Sequence, residues 1–303
     1  MPGHQHASRP SRSRGWLTIS VILLLVAGVA IGLLTTRSTA TKSRTSSKKH
    51  STPAPSRTTT SSVGPGGSSS PTPVGSATST STAGLLAGKV VAIDPGHNGG
   101  NFGDPSFINS PIWNGRATET CDTTGTETDG GYTEAQFNFN VAQYLAADLE
   151  AKGAKVVMTR TTNDGVGPCV TQRAAIGNAA GANAAVSIHA DGGPTSGSGF
   201  AVLEPVASGP NDSVVTPSQS LGTDVRSAFL AQNVEPISDY DGIDGIQPRD
   251  DLAGLNLTTV PKVLVECANM RNTSDAALIV TDSWQRSVAQ ALTTAITKFL
   301  MVG

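Results

Sequence analysis

The 303-residue chain carries a formal charge of −2, but that total joins two opposite parts: residues 1–83 hold nine Lys or Arg and no acid, whereas residues 84–303 hold 12 basic and 23 acidic side chains, a formal charge of −11. An acidic domain of that kind repels nucleic acid, which excludes that partner class. Its 220 residues are ample for one domain with a full core.

Residues 1–14, with Arg9, Arg12 and Arg14, form a basic tail expected in the cytoplasm. Residues 15–36, GWLTISVILLLVAGVAIGLLTT, contain no charge, and the 19 residues from Trp16 to Leu34 would span about 28 Å as a helix, enough to cross a bilayer. Two readings stay open: a transmembrane anchor, or a signal sequence cleaved near Gly28-Val29-Ala30. The long apolar stretch favours the anchor, and both readings place everything downstream outside the cytoplasm. Residues 37–83 are rich in Ser, Thr, Pro and Gly and are expected to form a disordered tether. Such a coil spans roughly 35–40 Å on average.

From residue 84 the chain alternates strand-like and helix-like stretches. KVVAID reads as a strand ending in Asp94-Pro95-Gly96-His97, and residues 98–132 as a long polar loop able to hold a hairpin. Phe137, Val141, Leu145 and Leu149 share one helical face; Thr133 with Gln136 makes a capping box, and Gly153 a stop. KVVMTR is a strand and VTQRAAIGNAAGA a helix. AAVSIHAD and GFAVLEP are further strands, a helix is predicted at about 217–232, and KVLVECANM follows a Gly/Asp-rich loop as another strand. One long amphipathic helix from about Ser274 to Leu300 closes the chain. The pattern predicts an α/β fold, a twisted mixed and mostly parallel sheet flanked by helices on both faces. Of the three cysteines, Cys267 lies in a buried strand as an inert thiol, while Cys121 and Cys169 lie in polar loops outside the cytoplasm. Those two are expected to bond, closing a 49-residue loop. That closure contributes about 4 kcal/mol in the chain-entropy account.

Three predicted strands end in chemistry: AIDPGH in His97, VSIHAD in His189 and Asp191, and VLVECA in Glu266; Glu134 opens a helix. Singly each has a plain explanation, since a strand-end His is more often a hydrogen-bonded loop residue and a helix-opening Glu complements the dipole. Glu266 after Val-Leu-Val is costlier to bury alone. The other three His lie before residue 84, so both His of the domain end strands. Two His and a carboxylate are ligands of catalytic zinc, and a second carboxylate is then needed as general base. No H-E-x-x-H spacing supports this locally.

AIDPGHNGGN, GYTEAQFN, TRTTND with QRAAIGNAAGANAAVSIHADG, and VPKVLVECANMRN resemble, in that order over about residues 87–300, the zinc-dependent N-acetylmuramoyl-L-alanine amidases of the AmiC-like (amidase 3) type, especially single-domain mycobacterial and actinobacterial ones. The resemblance implies Zn2+ bound by His97, Glu134 and His189, and Glu266 as the catalytic base. It implies hydrolysis of the amide between N-acetylmuramic acid and L-alanine of the peptidoglycan stem peptide. Asp94 would either orient His97 or stabilise its turn. Asp191, Arg249 and Asn269 either line the substrate cleft or do nothing. Some members carry a helix that plugs the site; only the 217–232 helix is a candidate here. The expected protein is a monomer, extracytoplasmic in the periplasm or cell wall, anchored to the membrane or secreted, with peptidoglycan or muropeptides as its partner. The alternatives are a zinc peptidase acting within the stem, a wall-binding module without turnover, and a cysteine hydrolase using Cys267, which lacks an activating cation.

Overall fold

The structure is a computed structural model and describes residues 84–302; the basic tail, the apolar segment and the tether inferred from the sequence lie outside these residues. Among the described residues no helix is long and apolar enough to cross a membrane. The elements run β1 (Val90–Pro95), α1 (Pro105–Ile108), β2 (Pro111–Trp113), β3 (Thr118–Thr120), α2 (Glu134–Ala151), β4 (Lys155–Met158), α3 (Val170–Ala179), β5 (Ala184–Asp191), β6 (Ala201–Pro205), α4 (Val215–Ala231), β7 (Ile246–Arg249), α5 (Ala253–Asn256), β8 (Lys262–Asn269), α6 (Thr273–Ile279) and α7 (Asp282–Val302).

Six strands form one sheet in the order β4-β1-β5-β8-β6-β7, with β2 and β3 as a separate hairpin. β4, β1, β5 and β8 are parallel, β6 runs antiparallel to β8, and β7 is parallel to β6, so the sheet is mixed as expected. Alternation along each strand sends successive side chains to opposite faces. One set, Val91 and Ile93 of β1, Val186 and Ile188 of β5, and Val263 and Val265 of β8, packs into the main core with Phe137 and Leu145 of α2, Leu221 and Phe229 of α4, and Leu292 and Ile296 of α7. The other face is nearly bare of large apolar groups near β1 and β5, where Ala92 and Ala185 make a small cluster with Val260. α3 and α5 cover that face.

Helix α2 begins at Glu134 because the Thr133 side chain accepts the Gln136 amide at 3.3 Å, which is half of the expected capping box. The Gln136 side chain bonds Asn140 and Asn163 instead of returning to Thr133. The long C-terminal helix is in fact two. Thr281 turns both its amide and its hydroxyl back on the Leu278 carbonyl, ending the first at Ile279, and Asp282 opens the second. The Gly/Asp-rich loop also holds more order than expected, namely β7 and α5. α4 packs on α7 and β6 in the main core, the face away from the cleft, and plugs nothing.

Candidate metal centre and active site

β1, β5 and β8 are neighbours, and their C-terminal ends bring the strand-end residues together. His189 on β5 stands opposite Glu266 on β8, and Asp94 on β1 opposite Ser187 on β5. By alternation these four project to the sparsely packed face. They line a cleft of about 390 Å³, together with His97, Asp122, Asp191, Arg249 and the apolar Leu203, Leu252 and Leu264.

The turn after β1 is held from all sides. His97 has φ 56°, a left-handed conformation that side chains disfavour. Pro95 O accepts from Arg160 Nε at 2.9 Å and Arg173 Nη1 at 2.8 Å. Gly96 O accepts from Asn138 Nδ2 at 3.1 Å and Arg160 Nη2 at 3.2 Å, and His97 O from Arg173 Nη2 at 2.9 Å. Two glycines leave room for the His189 and His97 rings. A Cβ on Gly96 would overlap the His189 imidazole, and one on Gly125, at φ +73°, would lie 2.8 Å from both Glu134 Oε2 and His97 Cδ2.

His97, Glu134 and His189 present ligand atoms all within 4.8 Å of one another. Glu134 Oε1 lies 2.8 Å from His189 Nδ1 and 3.4 Å from His97 Nε2, and its Oε2 accepts the Thr126 amide at 2.9 Å. Burial disfavours the His97 imidazolium, but the Glu134 charge and hydrogen bonds to Asp122 and Glu134 outweigh it and raise its pKa to about 10. Burial likewise opposes the Glu134 carboxylate, and the two imidazoles overcome it, holding its pKa well below the ordinary value. The cluster therefore favours positive charge between its rings, as protons or as a metal ion. Glu266 is driven the other way: burial, reinforced by the charges of Glu134 and Asp191, pushes its pKa far up. Its Oε2 is buried without a hydrogen-bond partner.

Comparison with known proteins decides the family. Residues 91–298 match the family model described as N-acetylmuramoyl-L-alanine amidase. The chain belongs to that amidase family. It is 40% identical over 226 residues to the N-acetylmuramoyl-L-alanine amidase Rv3717 of Mycobacterium tuberculosis, an alignment covering 72% of this chain and 89% of the relative. It is similar to the crystal structure of the amidase Ami1 from Mycobacterium smegmatis, with TM-score 0.68 and 40% identity over 72% of this chain and 99% of that one. Ami1 from Mycobacterium abscessus matches with TM-score 0.67 and 40% identity over 71% and 100%.

In this amidase His97, His189 and Glu266 line one cleft, with the buried Glu134 against both imidazoles, and Cys121 and Cys169 form a disulfide while Cys267 is a buried free thiol. Asp191 and Arg249 line the cleft, the Arg249 guanidinium gripped by Asp251 at 2.7 and 2.8 Å. Asn269 does not line it: fully buried, it donates to Pro194 O and Gly197 O, each at 2.8 Å, and so shapes the loop after β5. Asp94 does not touch His97 either. It pairs with Arg173 at 3.0 Å and Lys262 at 3.1 Å and accepts from Thr159 and Ser187. Burial alone would raise its pKa, but the Lys262 and Arg173 charges hold it far below the usual range. The sequence reading passed over Asp122, Arg160, Arg173 and Lys262. No local signal marked them: Asp122 lies in a polar loop, Arg160 just past β4, Arg173 in the first turn of α3, and Lys262 opens β8.

Proposed function

We propose that this amidase hydrolyses the amide joining N-acetylmuramic acid to the L-alanine of the peptidoglycan stem peptide with a zinc ion held by His97, Glu134 and His189 and with Glu266 as general base. The observation that carries the reading is the meeting of two imidazoles and a carboxylate within 4.8 Å, beside a second carboxylate that no hydrogen bond occupies. Two nitrogens and one oxygen suit zinc, with a coordination position left over. When bound, zinc supplies a Lewis acid that polarises the scissile carbonyl and acidifies water.

The rest falls to the protein. Glu266, beside His189 across the β5–β8 pair, accepts the proton of the attacking water and hands it to the leaving nitrogen. Leu203, Leu252 and Leu264 in the cleft wall limit competing water around Glu266. The Gly192–Gly197 loop follows the cleft-lining Asp191 and packs Gly193 and Gly197 against the Tyr240 ring.

Peptidoglycan as substrate implies action outside the cytoplasm. We infer that residues 15–36 direct the chain there and that residues 37–83 give the domain reach. The test is incubation of the zinc-loaded protein with muramyl peptides, with and without a chelator, read by mass spectrometry. Free stems beginning at L-alanine, formed only with metal, are the expected product. Shortened stems still on the sugar would mean a peptidase, and no cleavage at all a binding module. His189→Ala is expected to lose both zinc and turnover.

A further inference from the structure

We propose that Asp122 and Arg173 form a positioning pair that sets the His97 ring for metal binding, and that the Cys121–Cys169 disulfide holds the pair together. The inference rests on the zinc reading above and goes beyond it to residues outside the proposed ligand set.

His97 Nδ1 lies 3.0 Å from Asp122 Oδ1, while its Nε2 faces Glu134. A neutral imidazole carries one N–H, and donating it from Nδ1 to a carboxylate leaves the Nε2 lone pair toward the ligand cluster. Asp122 is itself fixed. Oδ1 also accepts the Thr123 amide at 2.8 Å, and Oδ2 meets Arg173 Nη2 at 3.2 Å. That same Arg173 nitrogen grips the His97 carbonyl at 2.9 Å. One guanidinium therefore holds both the left-handed backbone of His97 and the carboxylate that orients its ring. The Asp122 and Arg173 side chains are only 2% and 3% exposed, so neither has water to fall back on.

The disulfide adjoins both members. Cys121 precedes Asp122 in sequence, and Cys169 caps α3, one turn before Arg173. One backbone bond ties the same two segments, the Val170 amide donating to Cys121 O at 2.8 Å, and within α3 the Arg173 amide donates to Cys169 O at 3.0 Å. A cross-link serving only loop closure has no need to sit beside the carboxylate that faces a ligand ring. Placed here, it stops the Asp122 segment and α3 from separating, a separation that would free the His97 ring to rotate.

The experiment uses the full chain. Zinc affinity of metal-free wild type, Asp122→Asn and the double variant Cys121→Ser/Cys169→Ser is measured by competition with a chromogenic chelator, alongside thermal unfolding of each metal-free protein. Separately, nitrogen NMR of zinc-loaded wild type reads which ring nitrogen of His97 is protonated. The expected result is protonation at Nδ1, a loss of zinc affinity of about 10–100-fold in Asp122→Asn, and a smaller loss in the double variant, with the metal-free Asp122→Asn protein still folded. Unchanged zinc affinity in Asp122→Asn overturns the proposal, as does protonation at Nε2 in the wild type. If Asp122→Asn does not fold, the wild-type ring state alone decides. A wild type that binds no zinc sinks the metal reading itself, and this inference with it.

Discussion

The two faces of the sheet are built from alternate residues of the same strands, yet they are held together by different physics. In β5, Ala184, Val186, Ile188 and Ala190 go to the main core, while Ser187 and His189 go to the cleft face; in β8, Val263, Val265 and Cys267 oppose Lys262, Leu264 and Glu266. The first face is non-directional apolar packing, tolerant of repacking at constant volume. The second is a network of buried charges in which Asp94, Arg173, Lys262 and Asp122 neutralise one another and leave Glu266 unpaired. Apolar packing occupies one side of a single strand, and paired charges and chemistry the other.

Substitutions on each side should break or sharpen that division. The largest effect belongs to Glu266→Gln: kcat is expected to fall by about 10²–10⁴-fold with zinc content unchanged, checked by steady-state kinetics and metal analysis. Normal turnover in that variant would remove the general base from the mechanism. Next come two buried changes of similar thermodynamic size but opposite reach. Phe229→Ala, which empties the place of a ring whose centroid lies 4.8 Å from that of Phe200, should cost about 3–5 kcal/mol in urea unfolding and leave kcat/KM near wild type. Asp94→Ala strands Arg173 and Lys262 and should also cost about 3–5 kcal/mol, but with weakened zinc binding, because Arg173 holds the His97 turn. If the two variants behave alike in activity, the division between faces fails.

The smallest effect concerns Glu204, on β6 among apolar neighbours. Burial raises its pKa from 4.5 to about 7. Between those values the folded state binds more protons than the unfolded state, so stability falls as pH rises and levels off above 7. Glu235, raised to about 7 by burial and the Asp275 charge, adds the same sign. Glu204→Gln should therefore flatten the fall in urea midpoint between pH 5 and 8, in part, while Glu235 remains.

Local pattern is what made the site legible. His97, His189 and Glu266 end apolar runs and Glu134 follows an N-cap Thr, so each announced itself within ten residues. The strands and main helices were readable for the same reason, and the disulfide because only two cysteines lay in loops. Long-range dependence hid the rest. Asp94 meets Thr159, Arg173 and Lys262 at sequence separations of 65, 79 and 168, and no local pattern indicates which charge it will find. β7 carries Pro248 and half-exposed residues at a sheet edge, which reads as loop. The break at Val280-Thr281 was masked because apolar spacing continues across it. Asn269 sat in a motif beside Glu266, and its side chain turned out to serve a neighbouring loop.

The two glycines that flank the ligands make vacant volume part of the site. Gly96 and Gly125 contact no proton in transit, yet each leaves room that a methyl would take from the His189 ring or from the His97 ring and the Glu134 carboxylate. A single methyl at either position would act as an inhibitor built into the chain. A selection for loss of wall-cleaving activity should therefore recover alanine alleles at Gly96 and Gly125 alongside changes in His97, Glu134 and His189 themselves.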